Sequence, residues 1–179
     1  MSSRPLRQLA AFVALVPALA PASTVFEQTL GERTRAADRV VLAQVLDSRT
    51  EVAGWTPARR EGGKPTPRMF TVTRVAVGTD LKGGGAAQLE LVQLGGRTGL
   101  WEAHVPGDAS FTSGEQAVLF LRCRDRARPE RCALVGLGAG KVPVVGNDAV
   151  LSSLARPERT RRPLREVAAE VRAASKETR

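Results

Sequence analysis

The stretch LFLRCRDRARPERCALVGLG (residues 119–138) contains both cysteines of the chain, Cys123 and Cys132, each at the inner edge of an apolar run. Between and beside them stand Arg122, Arg124, Arg126, Arg128 and Arg131, with Asp125 and Glu130 as the only acids. Such a segment can be a metal site, a basic loop that grips nucleic acid, or a stapled hairpin. The three readings place the chain in different compartments and lead to different folds.

Zinc needs three or four Cys, His or carboxylate ligands. The chain offers two cysteines and one histidine, His104, distant in sequence, so a protein-held metal is not expected. The net charge of +9 invites a nucleic-acid reading. Single-strand binders combine a basic groove with aromatic platforms for base stacking. The basic segments here, 122–131 and 156–179, contain no aromatic residue, and no nucleic-acid partner is expected. Their arginines read as solvated charge.

The N-terminus favours the hairpin. MSSRPLRQ carries Arg4 and Arg7, the apolar run LAAFVALVPALA follows, and APAS ends it. This is the pattern of a secretory signal peptide, with a cut expected after Ala22 and a mature start at Ser23. The run is shorter than the ~20 residues a membrane-spanning helix needs. A secreted or periplasmic protein is expected, with no membrane span after cleavage. In that setting two cysteines pair. If 116–124 and 131–138 form an antiparallel hairpin, pairing Cys123 with Cys132 sets Leu121 opposite Leu134 and Leu119 opposite Gly136. The cysteines then share the leucines' face in one register.

The remaining apolar runs are short and bounded by turn residues. RVVLAQVL (39–46), RMFTVTRVAV (68–77), AQLELVQL (87–94) and QAVLFLRC (116–123) read as strands. In the third, Leu89 and Leu91 share one side while Val92 and Leu94 share the other, so a β-bulge is expected. Residues 47–67 read as a long polar loop with Trp55 its one large apolar side chain. In LWEAHV, Trp101, Ala103 and Val105 alternate with polar neighbours, which predicts Trp101 in the core and His104 exposed. Gly146-Asn147-Asp148 reads as a hairpin turn. A weak helical pattern covers Thr24–Ala37 through Phe26, Leu30 and Ala37. In the tail, Leu164, Val167, Val171 and Ala174 fall on one helical face after Pro163.

These elements predict a mainly β fold: a small closed or partly open barrel of five to six strands, with a short N-terminal helix and an amphipathic C-terminal helix. The expected organisation is a signal peptide (1–22), a β-barrel domain (23–155) and a basic C-terminal helix (156–179). No HExxH, GxxxxGK[ST] or GxSxG motif occurs, and the glycine-rich LKGGG and GLGAG lack a phosphate-loop context. Neither catalysis nor a cofactor is expected.

Three phrases in order resemble netrin-like modules, the group that includes tissue inhibitors of metalloproteinases. They are ADRVVLAQV (37–45), FTVTRVAVGTDLKG (70–83) and GEQAVLFL (114–121). The resemblance covers residues of about 36–145 and implies an OB-type barrel with flanking helices. Inhibitors of that group chelate the protease zinc through a mature N-terminal cysteine. Ser23 and Thr24 stand at the expected mature start, so no inhibitory residue carries over. The resulting expectation is a monomeric, secreted, non-catalytic binding module for another exported protein, a protease being one candidate, or for a cell-envelope polymer. Its candidate contacts are Arg124, Arg126, Arg128, Arg131 and Trp55. The alternative is a structural envelope protein held to anionic polymers or membrane surfaces by its basic loop and tail.

Overall fold

Residues 40–43 are apolar on both faces because both faces are covered. The computed structural model describes residues 28–53, 68–99, 101–152 and 159–177. Its elements begin with α1 (Leu30–Ala36), β1 (Arg39–Ala53), β2 (Arg68–Lys82), β3 (Gln88–Leu94), β4 (Gly96–Thr98) and β5 (Trp101–Ala103). There follow β6 (Gln116–Arg122), β7 (Arg131–Leu134), a 3-10 turn, β8 (Lys141–Val145), β9 (Asp148–Leu151), β10 (Thr160–Pro163) and α2 (Leu164–Lys176).

The protein is mainly β, with one short helix near each end of the described chain. Pairing runs β1–β2–β3–β7–β6 and returns from β6 to β1, while β8, β9 and β10 continue outward from β6. The sheet is thus a partly closed ring rather than a regular barrel. Every contact round the ring is antiparallel except β3–β7, which is parallel and confined to Glu90↔Arg131 and Leu91↔Cys132. The ring is thinnest at β7.

Two apolar clusters use the two faces. Val41, Ala43, Val45, Val75, Leu89, Leu91, Leu119 and Leu121 fill the inside of the ring. Val40, Val118 and Phe120, on the opposite face of the same strands, pack with Leu30 of α1 and with Val167, Ala168 and Val171 of α2. This explains the unbroken apolar runs in β1 and β6. The tail helix buries the side predicted for it, with Val167 and Val171 fully covered. Thr29 caps α1 by accepting from the Glu32 N–H while Glu32 accepts from the Thr29 N–H, so the helix begins here rather than at Thr24. Phe26 and the expected signal segment lie outside the described residues, as does Trp55.

Four local expectations change. β1 continues through 47–53, where a loop was expected, because that half of the strand is polar on both faces. Asp47, Arg49 and Glu51 form its outer row, while Ser48 bonds Thr73 at 2.8 Å on the inner one. The predicted bulge in β3 is absent: Leu89, Leu91 and Gln93 point inward in strict alternation and the pairing with β2 is uninterrupted. Gln93 occupies an inward position by donating to the Ala109 carbonyl at 2.8 Å, and Leu94 is exposed. The register irregularities lie in β1 instead, as in the step between Val45 and Asp47. Trp101 belongs to the small β4–β5 hairpin and is 66% exposed, so its alternation marks a flap, not a core strand.

The hairpin register holds at Leu121↔Leu134 but not beyond. After the Val135 N–H donates to Phe120, Gly136 and Leu137 take left-handed backbone (φ 67° and 57°) and the chain turns away. Leu119 consequently pairs with Lys141 of β8 rather than with Gly136. Gly146-Asn147 forms the expected turn, joining Val145 to Asp148, with Gly146 at φ 61°. Among the described residues no helix is long and apolar enough to cross a membrane.

Candidate binding groove

The β6–β7 loop is fixed at both ends. Cys123 and Cys132 form a disulfide with Cα atoms 4.2 Å apart, and Cys132 is buried in the ring interior. Asp38, just before β1, accepts the Cys123 N–H at 3.0 Å. Within the loop, Asp125 Oδ1 accepts the N–H groups of Ala127 (3.0 Å) and Arg128 (3.2 Å). Burial opposes ionisation of Asp125, but these N–H groups and the Arg128 guanidinium outweigh it and lower its pKa. The loop is a sequence of ordered turns.

At its far end Arg131 crosses the outer face of the ring. Its Nε donates to Glu90 of β3 at 2.7 Å, and its Nη2 reaches Glu51 of β1 at 2.8 and 2.9 Å. Arg49 of β1 closes the circuit, donating to Glu51 at 2.7 Å and to Glu90 at 2.6 Å. Hydrogen bonds from Arg131 and then Arg49 hold Glu51 below the usual carboxylate range. Those from Arg49 and then Arg131 do the same for Glu90. Val72, in the cross-strand row between Arg49 and Val92, is fully buried although it lies on the outer face. The charged quartet spans it from β7 to β1 and reinforces the ring where its backbone pairing is shortest.

Between this quartet and the loop runs an open groove of about 560 Å³. Val52, Phe70, Val92 and Ala133 supply its apolar surface; Arg122, Arg124 and Arg128 rise along the loop side. Arg122 donates one bond to the Ala36 carbonyl at 3.3 Å, and Arg128 pairs with Asp125 at 3.2 Å. Arg124 is exposed and makes no ion pair among the described residues. The groove therefore presents more positive charge than it satisfies internally.

The sequence-predicted contacts separate. Arg124 and Arg128 line the groove. Arg131 lines it too, but its guanidinium is committed to Glu51 and Glu90. Arg126 is exposed and does not line the groove. Glu51, Arg49, Glu90, Phe70 and Val92 were not anticipated. The alternation of Asp47, Arg49 and Glu51 was the available signal for a charged strand face.

A second cavity, of about 300 Å³, lies at the polar mouth of the ring beneath the β4–β5 flap, lined by Ser48, Thr71, Thr73, Gln93 and His104 among others. Its polar side chains are largely occupied: Thr71 donates to the Gly95 carbonyl, Gln93 to that of Ala109, and Ser48 pairs with Thr73. His104 is exposed and has no Ser or Asp partner among the described residues. No group of three His, Cys, Asp or Glu side chains among the described residues is placed to hold a metal ion. Comparison with family models, with curated proteins and with solved structures finds no match to this chain.

Proposed function

We propose that the protein is an exported, non-catalytic binding module that contacts another exported protein or a cell-envelope component through the groove beside the arginine loop. One observation carries this reading: Arg122 at the end of β6 and Arg124 and Arg128 on the loop stand together over an apolar floor, the loop being fixed by a disulfide and a salt-bridge quartet. Rigid placement of charged groups lowers the ordering cost of binding. The intramolecular disulfide suits an oxidising compartment. The ring order β1–β2–β3–β7–β6–β1, with its single parallel contact, supports the OB-type, netrin-like reading of the fold.

A second reading draws on the tail. Arg161, Arg165, Arg172 and Lys176 are all exposed on β10 and α2, a surface suited to anionic polymers or membranes. Affinity capture from the native exported fraction separates the two. The groove reading predicts that Arg122→Gln/Arg124→Gln/Arg128→Gln loses the captured species while Arg161→Gln/Arg165→Gln/Arg172→Gln retains it. The reverse pattern, with capture collapsing steeply as salt rises, would establish charge adhesion by the tail.

A further inference from the structure

The groove also borders an unpaired strand edge. β3 is paired with β2 from Gln88 to Leu94, but with β7 only at Glu90 and Leu91. The Glu90 N–H donates away from β2, to the Glu130 carbonyl at 2.9 Å, whereas the Gly95 N–H donates towards β2, to Met69 at 2.9 Å. Backbone groups alternate sides along a strand, so Val92 and Leu94 direct theirs the same way as Glu90. The Leu91↔Cys132 bridge takes up the Val92 N–H, and beyond it the Val92 C=O and both Leu94 groups meet no strand on that side. Leu94 is 60% exposed, and its N–H and C=O have no partner among the described residues. Phe70 lies directly opposite Leu94 and, with Val92, forms the outer-face floor beside this edge.

We infer that the edge of β3 at Val92–Leu94 accepts an extended acidic peptide as an added strand, with its carboxylates on Arg122 and Arg124. The inference rests on the groove reading above and names the ligand class for it. Strand addition supplies main-chain hydrogen bonds for affinity and leaves every second side chain facing the outer surface of the ring. An apolar side chain at one such position rests on Phe70 and Val92. Acidic ones at neighbouring positions lie under the loop, where Arg124 has no internal ion pair and Arg122 spends one donor on a carbonyl. Charge-assisted bonds of this kind are among the stronger polar contacts a surface can offer. An anionic polysaccharide satisfies the arginines but not donors and acceptors spaced as a strand.

Fluorescence anisotropy on the purified protein tests this with three labelled probes. They are the peptide Glu-Thr-Leu-Thr-Glu-Thr-Glu, the same peptide N-methylated at every internal residue, and an oligogalacturonate of matched charge. The unmodified peptide is expected to bind best. N-methylation and the Arg122→Gln/Arg124→Gln change should each weaken it by about tenfold or more. Saturating peptide should also slow hydrogen exchange at the Leu94 amide. Absence of peptide binding, or equal binding of the N-methylated peptide or the oligogalacturonate, overturns the inference. If the oligogalacturonate still depends on Arg122 and Arg124, the groove reading stands without it. If no probe responds to the arginine changes while the variant's urea midpoint matches wild type, both fall.

Discussion

Arg131→Met removes a guanidinium and keeps an aliphatic stem, which separates the quartet's charge from its cover over Val72. Glu51 loses two bonds of 2.8 and 2.9 Å, and Glu90 loses one of 2.7 Å, while Arg49 stays on both carboxylates. Exposed ion pairs contribute ~0.2–1 kcal/mol, and hydrogen bonds to charged groups ~1.5–3 kcal/mol. The Arg131 side chain is 17% exposed and the carboxylates 33% and 21%, which places each contact where those ranges meet. The expected loss is about 1 kcal/mol per carboxylate, so roughly 2 kcal/mol at neutral pH. Both glutamates are held below their ordinary value of 4.5 in the folded protein. Their stabilisation is therefore complete above that value and disappears as pH falls through the lowered folded values. The cost of Arg131→Met should shrink to under about 0.5 kcal/mol near pH 2.5. Urea unfolding followed by far-ultraviolet circular dichroism at both pH values measures it. An equal loss at both would refute the electrostatic origin, and no loss at neutral pH would refute the clamp itself.

Cys123→Ala/Cys132→Ala should lower stability by roughly 2.5–3 kcal/mol, the chain-entropy value for so short a loop, and mass spectrometry of the native protein should find no free thiol. Val171→Ala, at a fully buried position between α2 and the sheet, should cost about 2 kcal/mol in urea melts, with an exposed Ala173→Ser control near zero. Thr29→Ala breaks the capping box of α1 and should cost about 1 kcal/mol; an unchanged thermal midpoint would show that packing alone sets that helix start.

The parts of the fold legible in sequence are those whose side chains contrast with their surroundings. β6 reads as a strand because apolar residues line both its faces, and α2 because Val167, Val171 and Ala174 share one stripe. The cysteine register carried through to Leu121↔Leu134, since only one pairing places both sulfurs on the leucine face. What stayed hidden is the polar half of β1. Ser48 and Thr50 face the polar inner side of the ring while Asp47, Arg49 and Glu51 face out, so no hydrophobic period exists to read. The quartet was hidden for the same reason, as its members come from β1, β3 and β7 and meet only through ring closure. Trp101 misled in the opposite direction: its alternation is real, but the hairpin that carries it is a flap.

Hydrogen–deuterium exchange on the protein, free and bound to whatever it captures from the exported fraction, tests the groove most directly. Binding there predicts new protection at residues 92–94 and 122–131, with little change along 159–177. Protection confined to 159–177, with the arginine loop unaffected, would contradict it.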